Sequence, residues 1–90
     1  MGNEISSSGL GPNRSVALGS LVTILKVEGY DIIHYTEACS PEPHYVDLHA
    51  YGRYQVVYSE RQPWYLKGND IIHQANLKYV GNLPGTGAAL

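Results

Sequence analysis

VALGSLVTILKV, residues Val16 to Val27, is the stretch whose reading decides the fold class. It is β-branched along much of its length and nearly continuously apolar, interrupted only by Gly19, Ser20, Thr23 and Lys26. Side chains branched at Cβ are stiff and fit a pleated surface. A run that is apolar on alternate and intervening positions alike suits a strand covered on both faces. The core of the stretch, Ser20 to Val27, therefore predicts a strand. It is too short to cross a bilayer, which takes about 20 apolar residues.

Outward from it the chain divides into further short runs. Glu28-Gly29 predicts a turn and YDIIHYT, from Tyr30, a second strand. Pro41 and Pro43 remove backbone donors and make EACSPEP a loop. YVDLHAY alternates, with Val46, Leu48 and Ala50 on one side and Asp47 and His49 on the other. Gly52 marks a turn before RYQVVYS, and WYLK leads to the turn cluster Gly68-Asn69-Asp70. IIHQANLKYV alternates again. No segment carries a sustained helical stripe with caps. The expected fold is all-β: a small, mainly antiparallel barrel or sandwich of about six short strands. Residues 1–15 (SSSGLGPNRS within them) are expected as a flexible N-terminal arm, 16–82 as a single β domain and 83–90 as a flexible tail. Ile33, Val46, Leu48, Val56, Ile71 and Leu77 are expected in the core.

GYDIIH at Gly29 returns as GNDIIH at Gly68, and Arg14 stands to Arg53 as Gly29 stands to Gly68. Either two hairpins start alike, or half of the fold is duplicated, which would leave two superimposable halves.

Composition narrows the function classes. Ninety residues, 43% hydrophobic and 16% charged, make one globular domain. A net charge of −2 with scattered Lys and Arg provides no basic face for nucleic acid. The single Cys39 cannot form an intrachain disulfide and fits a reducing compartment. No secretory signal pattern is present.

Chemistry-bearing patterns are sparse. Cys39, His44 and His49 are evenly spaced, with His34 and His73 related through the repeat, but zinc sites show tighter pairs and alternation turns His44 and His49 to opposite faces of a strand. No metal and no cofactor are expected. Cys39 lies between Glu37 and Glu42, and neighbouring carboxylates disfavour a thiolate. With no dinucleotide, phosphate-loop or nucleophile-elbow motif, no catalytic residue and no enzyme are expected. Eight tyrosines, one tryptophan and no phenylalanine suit half-exposed sheet faces and interfaces. Tyr54, Tyr58, Trp64 and Tyr65 are the expected self-association surface, making a homo-oligomer. YVDL, with Tyr45 and Leu48, fits the tyrosine-x-x-apolar pattern read by sorting machinery and suggests a protein partner.

The chain opens MGNEIS. Gly2 and Ser6 satisfy the N-myristoylation spacing, with small Asn3 beside the acceptor. One acyl chain binds a membrane only marginally, so such an anchor needs oligomerisation as its second support. On MGNEIS and YVDL, the chain resembles the small myristoylated matrix proteins of some enveloped RNA viruses. That resemblance implies a non-enzymatic structural or adaptor protein held by Gly2 at the cytoplasmic face of a membrane and otherwise cytoplasmic. The alternative is an unacylated assembly subunit, soluble throughout, or a small tyrosine-lined binding module.

Overall fold

In the computed structural model, which describes residues 5–62 and 71–81, the chain runs β1 (Ser8–Gly11), α1 (Arg14–Val27), β2 (Ile32–Tyr35), β3 (His44–Leu48), β4 (Gly52–Arg61) and β5 (Ile72–Gly81). The strands form one sheet in the order β1-β5-β4-β3-β2, antiparallel at every pairing. It is a small, mostly antiparallel β domain whose five strands curl into a half-barrel.

Alternation along β3, β4 and β5 builds the two faces. Val46 and Leu48 of β3, Tyr54 and Val56 of β4 and Ala75 of β5 are buried on the inner face. Register sets Val46 opposite Tyr54 and Val56 opposite Leu77, so the large side chains meet across strands. Each such side chain, fully buried, contributes about 1.5–3 kcal/mol. Asp47 and Arg53 are paired in register on the outer face, where Arg53 donates from Nε to Oδ1 at 2.8 Å and from a terminal nitrogen to Oδ2 at 3.1 Å. The Arg53 guanidinium also lies over the Tyr45 ring, 4.8 Å from its centroid. The hydrogen bonds to Asp47 push the Arg53 guanidinium above its usual value.

The stretch expected as a doubly covered strand is instead helix α1. Ala17, Leu18, Leu21, Val22 and Leu25 recur at helical spacing and all are buried against the sheet. Asn13 caps the first turn, its side chain accepting from the Val16 N–H at 2.9 Å. Gly29, at φ +94°, ends the helix. The N–H of Gly29 bonds the Lys26 carbonyl and that of Tyr30 the Leu25 carbonyl, the paired C-terminal bonds that a left-handed residue makes available. Caps and tertiary burial override the β-branched propensity of the run.

Residues expected as part of the arm also belong to the fold. β1 pairs with β5, Gly9 opposite Ala75, and Ile5 joins the core at 9% exposure. A Cβ on Gly9 would run into the Ala17 carbonyl oxygen and the Leu21 amide, so glycine is what lets β1 lie directly against α1. The tail, 83–90, lies outside the described residues.

Of the expected core, Val46, Leu48 and Val56 are buried and Leu77 is half-buried, whereas Ile33 is 54% and Ile71 40% exposed. Ile33 sits at the register shift between Ile32 and His34, which takes it out of the alternation of β2. Ile71 precedes the first residue of β5. The two GxDIIH copies lead into β2 and β5, but at the offset of the repeat α1 falls on β4. The halves are not superimposable, and the echo reflects two strands that begin alike.

Candidate interaction surfaces

The side of α1 turned away from the sheet is the least expected surface of the molecule. Val16, Ser20, Thr23 and Val27 form its centre line at helical spacing, flanked by Gly19 and Ile24. None of the six is charged. Val16 is 44% and Val27 81% exposed. Val16, Gly19, Ser20, Thr23 and Ile24 line a shallow groove of about 560 Å³. A glycine inside a helix costs about 0.8–1.0 kcal/mol relative to alanine. At Gly19 no atom of the described residues beyond its own helical turn lies within 4 Å of where a Cβ would stand, so packing among the described residues does not require that glycine. A surface helix normally turns a charged face to water; on α1 the exposed charge is confined to Arg14 and Lys26, off the centre line. The two-sided burial legible in Val16–Val27 is thus half satisfied: the sheet covers one face and leaves the other open.

The second surface is the outer edge of β2, the last strand of the sheet. A groove of about 560 Å³ follows it, lined by Lys26, Ile32, Ile33, His34, Tyr35 and Glu37 among others. Lys26 stands towards the start of β2 and Glu37 follows its end. Exposed Ile33 and Tyr35 face solvent on a strand whose outer edge no described strand pairs. The strand is four residues long and carries a register shift, two features that limit edge-to-edge pairing.

A polar network closes the end of the sheet where α1 begins. His44, 3% exposed, donates from Nε2 to the Ser40 carbonyl at 2.8 Å, so Nδ1 accepts from the Tyr58 hydroxyl at 2.6 Å. The Arg14 guanidinium lies 5.3 Å from the Tyr58 ring centroid and forms an ion pair with Glu42. Burial first, and the charge of Glu42 second, push the Tyr58 phenol above its usual 10.0. Both His44 nitrogens are engaged within the chain, and the network ties α1, β3, β4 and the loop before β3 together. His73 Nδ1 is buried without a hydrogen-bond partner among the described residues.

The residues singled out from sequence fall as follows. Tyr54 is fully buried, because alternation places it on the same face as Val56, and so it belongs to the core rather than to an interface. Tyr58 is half-buried in the network with His44 and Arg14. Trp64 and Tyr65 lie outside the described residues. Leu48 is fully buried and Tyr45 lies under Arg53, so YVDL is fixed within β3 and not presented as a free strand. Cys39 is exposed, its thiol directed to the Glu37 carboxylate at 3.8 Å. Among the described residues no group of three or more His, Cys, Asp or Glu side chains could hold a metal ion, and no helix is long and apolar enough to cross a membrane.

The lipid-anchored reading is corrected. Gly2 and Asn3 lie outside the described residues, and Ser6 is exposed. An acylated arm needs a free, extended segment after Gly2. Here Ile5 is packed into the core and Ser8–Gly11 are hydrogen-bonded into the sheet. The oligomeric support assigned to the anchor loses Tyr54 to the interior. The myristoylated, membrane-associated and viral matrix-like descriptions are dropped, and the unacylated assembly subunit or binding module accounts for the molecule better.

Comparison with protein families, with curated proteins and with solved structures finds no match to this chain.

Proposed function

We propose that the chain is a non-enzymatic assembly subunit, a small β domain that works by contact with protein. One observation carries this reading: the Val16, Ser20, Thr23 and Val27 stripe on the side of α1 that the sheet leaves uncovered carries no charge, exposed Lys26 standing at its rim, with Val16 and Val27 open to solvent. Burying such a face recovers apolar free energy without desolvating a charge. The His44 network supports the same reading, since its polar groups are spent on one another and hold the helix in place. Sedimentation of the full chain from micromolar to millimolar concentration is the test. Reversible, concentration-dependent association is expected, and a chain that stays single throughout contradicts the proposal.

The edge of β2 favours a second reading, a module that takes an extended peptide by strand addition. Exposed Ile33 and Tyr35 beside a strand edge that no described strand pairs supply the side-chain and backbone contacts that mode uses. Titration with unstructured peptides alternating in apolar residues should then broaden or shift the resonances of Ile33 to Tyr35 first. No shift in β2 at millimolar peptide counts against it.

A further inference from the structure

We infer that the edge of β2 takes an extended peptide segment of a partner protein, running antiparallel to it, with a basic residue at the peptide's start against Glu37, an acidic residue at its end against Lys26, and apolar side chains between them on Tyr35 and Ile33. The inference rests on the strand-addition reading and supplies the direction and charge order of the peptide. Main-chain groups make the occupant a strand. The Thr36 N–H bonds the Tyr45 carbonyl at 2.9 Å, so Thr36 spends its backbone on β3. By alternation Tyr35 turns its N–H and C=O to the edge that no described strand pairs. A helix has no spare main-chain groups to offer there, whereas an extended peptide offers a donor and an acceptor at every second residue. Every pairing in this sheet is antiparallel, which sets the direction.

Charge complementarity sets the order. Lys26 and Glu37 are the charged residues of the groove with His34 neutral, one towards each end of β2. The Lys26 side chain makes no ion pair or hydrogen bond among the described residues. The Glu37 carboxylate receives the exposed Cys39 thiol at 3.8 Å, a weak donor. The features that limit pairing with another sheet favour a short peptide. β2 has four residues and a register shift; a rigid edge would have to match that shift, whereas a free peptide takes its twist from the strand it joins. The β2 of a second copy would also set Lys26 against Glu37, but it would bring the same shift to the pairing.

Titration of the full chain at low salt with the end-blocked peptide Lys-Thr-Val-Thr-Val-Glu, followed by amide resonances, tests the arrangement. Antiparallel register sets its two valines opposite Tyr35 and Ile33. The resonances of Ile33 to Tyr35 should shift, and this peptide should bind about three- to tenfold more tightly than Glu-Thr-Val-Thr-Val-Lys, a preference that shrinks with added salt. N-methylation of the valine set against Tyr35 should abolish binding, because it removes the donor that the edge carbonyl accepts; unchanged binding would overturn the inference. A chain carrying Lys26→Glu with Glu37→Lys should reverse the preference at unchanged circular dichroism, and the comparison of the two peptides on the wild type decides should that variant fail to fold. If both peptides shift β2 but bind equally, or the charge-swapped one binds more tightly, the inference fails while the strand-addition reading stands. Shifts at Ile33 to Tyr35 on concentrating the chain without peptide would make a second copy the occupant and overturn it. If neither peptide shifts β2 at millimolar concentration, both fail.

Discussion

Gly9 shows how one atom controls the packing of an element. β1 can lie on α1 only because residue 9 has no Cβ to meet the Ala17 carbonyl and the Leu21 amide. Gly9→Ala should cost about 1–3 kcal/mol or more, as overpacking against backbone does, read as a lowered urea midpoint. An unchanged midpoint would mean that β1 is not seated where the fold puts it. Tyr58 gives a pH-dependent counterpart. Its phenol is raised above 10.0 in the folded chain, so the folded state holds its proton where the unfolded state has lost it. The associated stability is complete below the ordinary tyrosine value and is lost as pH rises from about 10 through the raised value. Tyr58→Phe should therefore lose stability less steeply than wild type over that window, the other tyrosines being common to both. Parallel curves would contradict the burial of the hydroxyl. At this scale much was legible: the alternation of YVDL and RYQVV places Val46, Leu48 and Val56 inside. The same alternation places Tyr54 beside Val56, and reading it as an interface residue gave weight to its polar tip over its phase.

The element that sequence reasoning misjudged is α1. Helical periodicity is visible only as contrast between an apolar and a polar face, and Val16, Gly19, Ser20, Thr23 and Val27 remove that contrast. Two local signals are present and are independent of contrast: Asn13 directly before the helix and Gly29 one residue past its C-cap, Glu28. Both act as caps. Asn13→Ala should cost about 1 kcal/mol in thermal or urea unfolding, with Asn13→Asp close to wild type because it retains an acceptor for the Val16 amide. Equal loss in both variants would show that the cap is not the cause. β1 was hidden for a different reason. SGLG has the composition of a linker, and what makes it a strand is long-range pairing with β5 and the close approach of α1. Neither can be read from a local window.

For the molecule as a whole, the antiparallel β class followed from alternation and turn residues, while the strand order β1-β5-β4-β3-β2 depends on the connection through α1. The candidate surface was legible only indirectly. The apolar run Ser20–Val27 suits cover on both sides, which describes its chemistry, but a local sequence does not identify the covering layers, of which the sheet supplies one. The lipid motif at the chain's start was a local pattern that the burial of Ile5 and the pairing of β1 overrule. The central claim is that the uncovered face of α1 is an assembly surface. Sedimentation equilibrium of the full chain beside Thr23→Arg, at matched concentrations up to millimolar, tests it most directly. The account predicts a reversible equilibrium between one and two chains for the wild type and a single chain for Thr23→Arg, both with the same helical content; a wild type that remains one chain at every concentration, or a Thr23→Arg variant that associates as the wild type does, would contradict it.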